Sequence, residues 1–267
     1  MFDLISDIHI DKTYDLYSYS LSLSIPFYLK NQENNYLIIA GDVSNDLFHI
    51  KIFLEQASKQ YKKVFYVIGN HEFHLINNEY FEYETSYEKY DKIKNLDFPN
   101  VFVLDGDVIE VDSIKIGGAM GWYDASYVFY NLNTYNTKDK KYILNLWNNF
   151  LDSKKIKGFE DFYKIFNIEI KKIKKISSEA NIIISHFMPL IKPSFIQPFF
   201  RDNDTTGFYC FNGEEFLFND NVKVWIYGHI HDINGNFFLY DKDIINAFPY
   251  LKNNQIFMKE ITKDMIF

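Results

Sequence analysis

The stretch Tyr66-Val67-Ile68-Gly69-Asn70-His71-Glu72 sets the fold. A run of apolar and β-branched residues, Val64 to Ile68, ends there in a glycine and then in three side chains rich in ligand and acid-base chemistry. The pattern predicts a buried strand that delivers polar groups to a loop at its carboxyl end. Open α/β sheets place their sites at such edges, because the strand fixes the backbone while the loop leaves side chains free to converge on a ligand. The same order recurs four times. Phe2 to Ser6 leads into Asp7-Ile8-His9, Tyr36 to Ala40 into Gly41-Asp42, Asn181 to Ser185 into His186, and Val222 to Tyr227 into Gly228-His229-Ile230-His231.

Helix-like segments alternate with the early strands. Leu47, Ile50, Phe53, Leu54 and Ala57 recur at spacings of three and four and predict a helix over 47–61. Residues 77–96 read as another helix, capped by Asn77 or Asn78, with Tyr80, Phe81, Tyr87, Tyr90 and Ile93 on its buried side. In 13–30, Pro26 predicts a broken or short helix. This βαβ rhythm implies helices packed on a sheet. Segments 101–104, 107–111 and 114–119, separated by Asp-Gly and Asp-Ser, predict local antiparallel hairpins. The stretch 123–180 is helical over 141–151 and 159–178 and reads as an insertion or cap between two site-bearing strands. Its Lys171, Lys172, Lys174 and Lys175 read as a solvated face, with attraction of an anionic substrate as the functional alternative. Strands return at 222–227, 236–240, 244–248 and 255–261. No linker or repeat divides the chain, so one domain over 1–267 is expected.

Composition bounds the function. With 267 residues and 47% apolar side chains the chain can build a large core, which excludes the disordered class. A net charge of −8 disfavours broad adhesion to nucleic acid or to an anionic membrane. A single cysteine, Cys210, fits a reducing compartment. Neither a signal-peptide pattern nor a long apolar run is evident, so a cytoplasmic protein without membrane spans is expected.

Gathering Asp7, His9, Asp42, Asn70, His71, His186, His229 and His231 at one rim is poor packing, because buried imidazoles and carboxylates cost desolvation energy unless something pairs with them. A pair of divalent cations would pair with them all. The donor set suits Mn, Fe, Zn or Ni better than Ca or Mg. Five of the seven histidines sit in these motifs, and only His49 and His74 lie outside.

Asp7-x-His9, Gly41-Asp42, Gly69-Asn70-His71-Glu72, the isolated His186 and Gly228-His229-x-His231 resemble the ordered motif set of the calcineurin-like metallophosphoesterases, and Asn246-Ala247-Phe248-Pro249 is similar to the strand that often follows it. The resemblance implies an α/β fold of two packed mixed β-sheets flanked by helices, a four-layer αββα sandwich. It implies that Asp7, His9 and His231 bind one metal, that Asn70, His186 and His229 bind the other, and that Asp42 bridges them. It also implies hydrolysis of a phosphate ester by metal-bound hydroxide, with His71 contacting the phosphate and protonating the departing alkoxide. In one respect the chain departs from the pattern. Many relatives carry an Asp three residues after the bridging one; here Asn45 stands in its place, which argues against a protein phosphatase.

The expected substrate is a small phosphate mono- or diester, with a nucleotide among the options. A nuclease with the same metal centre is the alternative, which the net charge disfavours; a non-catalytic protein-binding scaffold stands behind both, because no ligand motif is missing. Arg201, the only arginine in the chain, is a candidate clamp on phosphate, with a plain surface charge as the more ordinary reading. His74 is a candidate for substrate contact or for a structural role. Trp122 and Tyr123 are read as core aromatics, with lining the cleft as the functional alternative. His49 is assigned to a helix surface and Cys210 to an inert buried thiol.

Overall fold

The computed structural model describes residues 1–13, 35–129, 139–232, 234–252 and 255–266. Strands β1 (Phe2–Ile5), β2 (Tyr36–Ala40), β3 (Lys63–Val67) and β4 (Val101–Val103) run parallel in that order, and β13 (Lys259–Ile261) pairs antiparallel with β1. The second sheet has the order β5 (Asp107–Val111), β6 (Ile114–Gly118), β7 (Ile182–Ile184), β8 (Val224–Tyr227), β10 (Lys242–Asn246), β9 (Phe237–Leu239). Here β6, β7, β8 and β10 are parallel, with an antiparallel strand at each edge. A small hairpin joins β11 (Tyr250–Lys252) to β12 (Gln255–Phe257).

Side-chain alternation explains the layers. Phe2, Leu4, Ile38, Ala40, Phe65 and Val67 form one core with Ile116, Ile182, Ile184, Val224 and Ile226, which closes the sheets on each other. Their neighbours Ile5, Leu37, Ile39, Val64 and Tyr66 join a second core with Ile50, Phe53, Leu54 and Ala57 of the helix Leu47–Gln60. Both faces are thus buried, as in other parallel sheets covered by helices, and each fully buried large apolar side chain is worth roughly 1.5–3 kcal/mol. Apolarity alone therefore leaves strand register open, and close contacts settle it. A Cβ on Gly118 would lie 2.6 Å from Val67 Cγ1, so the sheets meet there only because β6 ends in glycine. The helix Leu47–Gln60 starts where the Asp46 carboxylate accepts the Phe48 N–H at 2.7 Å.

Several expectations need correction. The segment 77–96 is two helices, Glu79–Glu82 and Ser86–Lys94, with Asn78 at the N-cap position of the first but making no side-chain cap bond. Lys157 Nζ donates to the Tyr80 and Tyr83 carbonyls at the break, and Phe81, expected inside, is 88% exposed. Val101–Val103 joins no hairpin; after it the chain crosses between the sheets, with Leu104 N–H donating to Tyr66 and Gly106 N–H to Gly118. The Asp112-Ser113 turn does form a hairpin, with both residues at positive φ. Among the described residues of 123–180 the α-helices are Lys140–Asn149, Leu151–Lys155 and Phe162–Ser177, with a break at Phe150 between the first two. The expected broken helix in 13–30 lies outside the described residues beyond Thr13. Among the described residues, no helix is long and apolar enough to cross a membrane.

Candidate metal centre

The carboxyl ends of β1, β2, β3, β7 and β8 meet at one rim, and the loops there take unusual backbone conformations. Asp7, His9, Asp42 and His229 all have φ between 45° and 64°, a region that L residues enter at a cost of order 1–3 kcal/mol. Cross-strand hydrogen bonds hold them in it. Asp7 N–H donates to Gly41 O, His9 N–H to Asp42 O, and His229 N–H to both carboxylate oxygens of Asp7. Gly41 itself has φ +88°, and a Cβ there would sit 2.4 Å from His186 Nδ1. A Cβ on Gly69 would come within 2.1 Å of Asp42 Oδ1. Both glycines are thus required by close approach to the site.

Three overlapping groups of side chains result: Asp7, His9 and His231; His9, Asp42 and His71; and Asp42, His186 and His229. Within each group the ligand atoms lie within 4.8 Å of one another. His231 Nε2 is 3.3 Å from both Asp7 Oδ1 and His9 Nε2, and His9 Nε2 is 3.7 Å from Asp42 Oδ2. On the other side, His186 Nε2 is 3.4 Å from Asp42 Oδ1, 3.1 Å from Asn70 Oδ1 and 3.2 Å from His229 Nδ1. Asp42 thus presents one oxygen to each cluster. His186 Nδ1 meets the Ala40 carbonyl at 2.8 Å, which places its N–H there and turns the Nε2 lone pair inward.

Electrostatics agrees with a cation site. Although burial opposes ionisation, the positive charges of His186 and His71 hold Asp42 well below the usual carboxylate range. For His186, burial works against protonation, but the Asp42 charge outweighs it and raises the imidazole to about 9. Burial, with the charge on His186, drives His229 down to about 3. A metal ion would take the place of the proton that the Asp42 charge draws onto His186, and the gathered imidazole nitrogens and carboxylate oxygens suit such an ion.

Two groups without an assigned role hold the centre. Glu72 is fully buried, and its carboxylate accepts the N–H groups of Asp42 (2.9 Å), Val43 (2.5 Å), Ser44 (3.3 Å) and Gly69 (2.7 Å). It therefore staples the loop after β2 to the loop after β3; its position three residues after Gly69, at a helix start, was the available signal. Asp152, from the 123–180 segment, is 1% exposed. Its Oδ1 accepts Asn70 Nδ2 at 3.0 Å and lies 2.7 Å from His74 Nε2, while Oδ2 accepts the Tyr123 hydroxyl at 3.1 Å. A lone aspartate in a weakly patterned segment gives no sequence signal of this.

The remaining candidates divide. His71 Nδ1 lies 2.8 Å from Asn45 Oδ1, and Asn45 Nδ2 donates in turn to Asp11 Oδ2 at 2.8 Å, so a carboxylate stands one residue further out than in relatives with an aspartate. His71 Nε2 faces Asp42 Oδ2 at 3.9 Å. His74 is buried on Asp152 and is not among the residues that line the cleft. Arg201 is also off the cleft: Nε donates to Ile196 O, and its own carbonyl accepts the Tyr127 hydroxyl. Trp122 and Tyr123 are fully buried core. His49, expected at the surface, is buried against Ser44 Oγ at 3.3 Å, because the first helical turn packs under the loop after β2. Lys172 and Lys175 are tied to Asp105 and Gly106 and are not among the residues that line the cleft. Asn246 supports the last motif, its amide donating to the carbonyls of Ile230 and Asp232, and the Phe248 ring stacks on His231.

A cleft of about 390 Å³ opens over the cluster. His9, Asp42, Asn70, His71, His229 and His231 form its floor, and Phe150, Leu151, Phe195, Ile196, Phe200 and Tyr209 form much of its wall.

Comparison with known proteins identifies the family and the fold. The chain is 28% identical over 251 residues to "Uncharacterized protein L509" of Acanthamoeba polyphaga mimivirus, covering 85% of this chain and 83% of that one. Its fold matches the crystal structure of a phosphopantetheinyl hydrolase from Mycobacterium tuberculosis with a TM-score of 0.68 at 16% identity, over 92% of this chain and 88% of that one. The family model for calcineurin-like phosphoesterases matches residues 2–232. The chain therefore belongs to the calcineurin-like phosphoesterase family and is a metal-dependent phosphohydrolase.

Proposed function

We propose that the protein hydrolyses a small phosphate mono- or diester at a pair of divalent cations. The observation that carries this reading is the sharing of Asp42 between two ligand clusters, one oxygen towards each. Asp7, His9 and His231 would hold one cation, Asn70, His186 and His229 the other, and Asp42 both. Such ions supply charge for the phosphate oxygens and a lowered pKa for an attacking water. The chain's own residues do the rest. His71 keeps one N–H on Asn45 through Nδ1 and directs Nε2 to the cleft, where its imidazolium can give a proton to the departing alkoxide. Asn45, anchored by Asp11, fixes that ring.

Residues 1–267 are read as one catalytic domain, with 123–180 as its cap; the presence of Phe150, Leu151 and Asp152 in the cleft lining supports this. The single buried cysteine accords with a cytoplasmic setting. Equilibrium dialysis against Mn²⁺ tests the centre: two ions bound per chain are expected, and one at saturation would overturn the dinuclear reading.

A further inference from the structure

The wall of the cleft differs in chemistry from its floor. Phe150 and Leu151 come from the cap, Phe195, Ile196 and Phe200 from the loop after β7, and Ile230 from the turn between the last two histidines. Tyr209 completes the wall; its ring lies over His229 at 4.8 Å and meets Phe150 edge-on at 5.8 Å. An apolar group entering here would shed water against aromatic faces that begin directly beside the candidate ligands.

The charges point the same way. Asp152 and Asp232 line the cleft along with Asp42, and among the described residues no lysine or arginine does. Arg201, the only arginine in the chain, donates its Nε–H to the Ile196 carbonyl. Two divalent ions set against Asp7 and Asp42 leave a positive surplus that one phosphoryl group neutralises. A second phosphoryl group or a carboxylate on the substrate would meet the partly exposed Asp232 and no lysine or arginine among the described lining residues.

Resting on the phosphoesterase reading above, we infer that the substrate carries a single phosphoryl group joined to an uncharged organic part that is flat and apolar, aryl or nucleobase-like. Phe150, Phe200 and Tyr209 grip that part, and the metal ligands hold the phosphoryl group. Polyphosphates, sugar phosphates and nucleic acid strands are the classes that this arrangement disfavours.

Leaving-group chemistry would confuse a comparison of hydrolysis rates, so the test is binding of non-hydrolysable phosphonates to the Mn²⁺-loaded full chain by isothermal titration calorimetry. Benzylphosphonate should bind between about tenfold and a hundredfold tighter than methylphosphonate, from the apolar area removed from water. By the same reasoning 2-carboxyethylphosphonate should bind no tighter than methylphosphonate. Phe150→Ala and Phe200→Ala should each compress the benzyl-to-methyl ratio by about fivefold, whereas Phe199→Ala, whose ring is 87% exposed and outside the cleft, should leave it as it is. A flat series, or preference for the carboxylate, with methylphosphonate still bound overturns this inference alone. If neither Mn²⁺ nor methylphosphonate binds, the phosphoesterase reading falls first.

Discussion

The rim of strand ends and the segment 139–180 border the same cleft, yet they hold their side chains by different means. At the rim the backbone does the positioning: Asp7, His9, Asp42 and His229 sit at positive φ, the first three locked by main-chain bonds between neighbouring strands or by the Glu72 carboxylate and His229 by its N–H on the Asp7 carboxylate. In that segment Asp152 is placed by side-chain packing, through the Tyr123 hydroxyl, which in turn accepts the Trp147 indole N–H at 2.8 Å. A site built on backbone leaves a pattern in sequence, because each strand must end in a particular order of residue types. A site built on packing leaves little, because its partners are far apart in the chain.

The comparison can be broken at several points. Asp42→Asn should have the largest effect, a loss of turnover of at least about a thousandfold together with loss of bound metal; retained metal at normal affinity would remove Asp42 from the centre. His71→Ala should lower kcat by about a hundredfold to ten-thousandfold while both ions stay bound, as mass spectrometry of the native protein would report. Asp152→Asn tests whether the segment around it supports the rim. Its loss should weaken binding of the cation on the Asn70 side by about tenfold to a hundredfold and spare the other. Equal weakening at both sites, or a lower Tm with unchanged metal binding, would reduce Asp152 to a packing residue. Asn45→Ala should be mildest, costing about tenfold in kcat through a loosened His71 ring, with metal content unchanged.

These contrasts explain what could be read from the sequence. The strands ending at Ile5, Ala40, Val67, Ile184 and Tyr227 were visible because apolar runs stop abruptly at Asp, Gly or His, and the structure brings their motif residues together. Tyr80 and Phe81 misled, since aromatic spacing suggested one continuous helix while Lys157 docks on the carbonyls at its break. Val101–Val103 misled because an Asp-Gly pair marks a tight turn as readily at a crossing between sheets as within a hairpin. Asp152 could not be found at all: its meaning lies in a contact with Asn70, 82 positions away.

The most direct test of the account is turnover of p-nitrophenyl phosphate and bis-p-nitrophenyl phosphate by the purified chain, measured with Mn²⁺, after chelation, and after Mn²⁺ is restored. Hydrolysis of at least one ester that chelation abolishes and Mn²⁺ restores is the predicted result. Turnover that survives chelation, or none of either ester from protein holding two Mn²⁺ per chain, would contradict it.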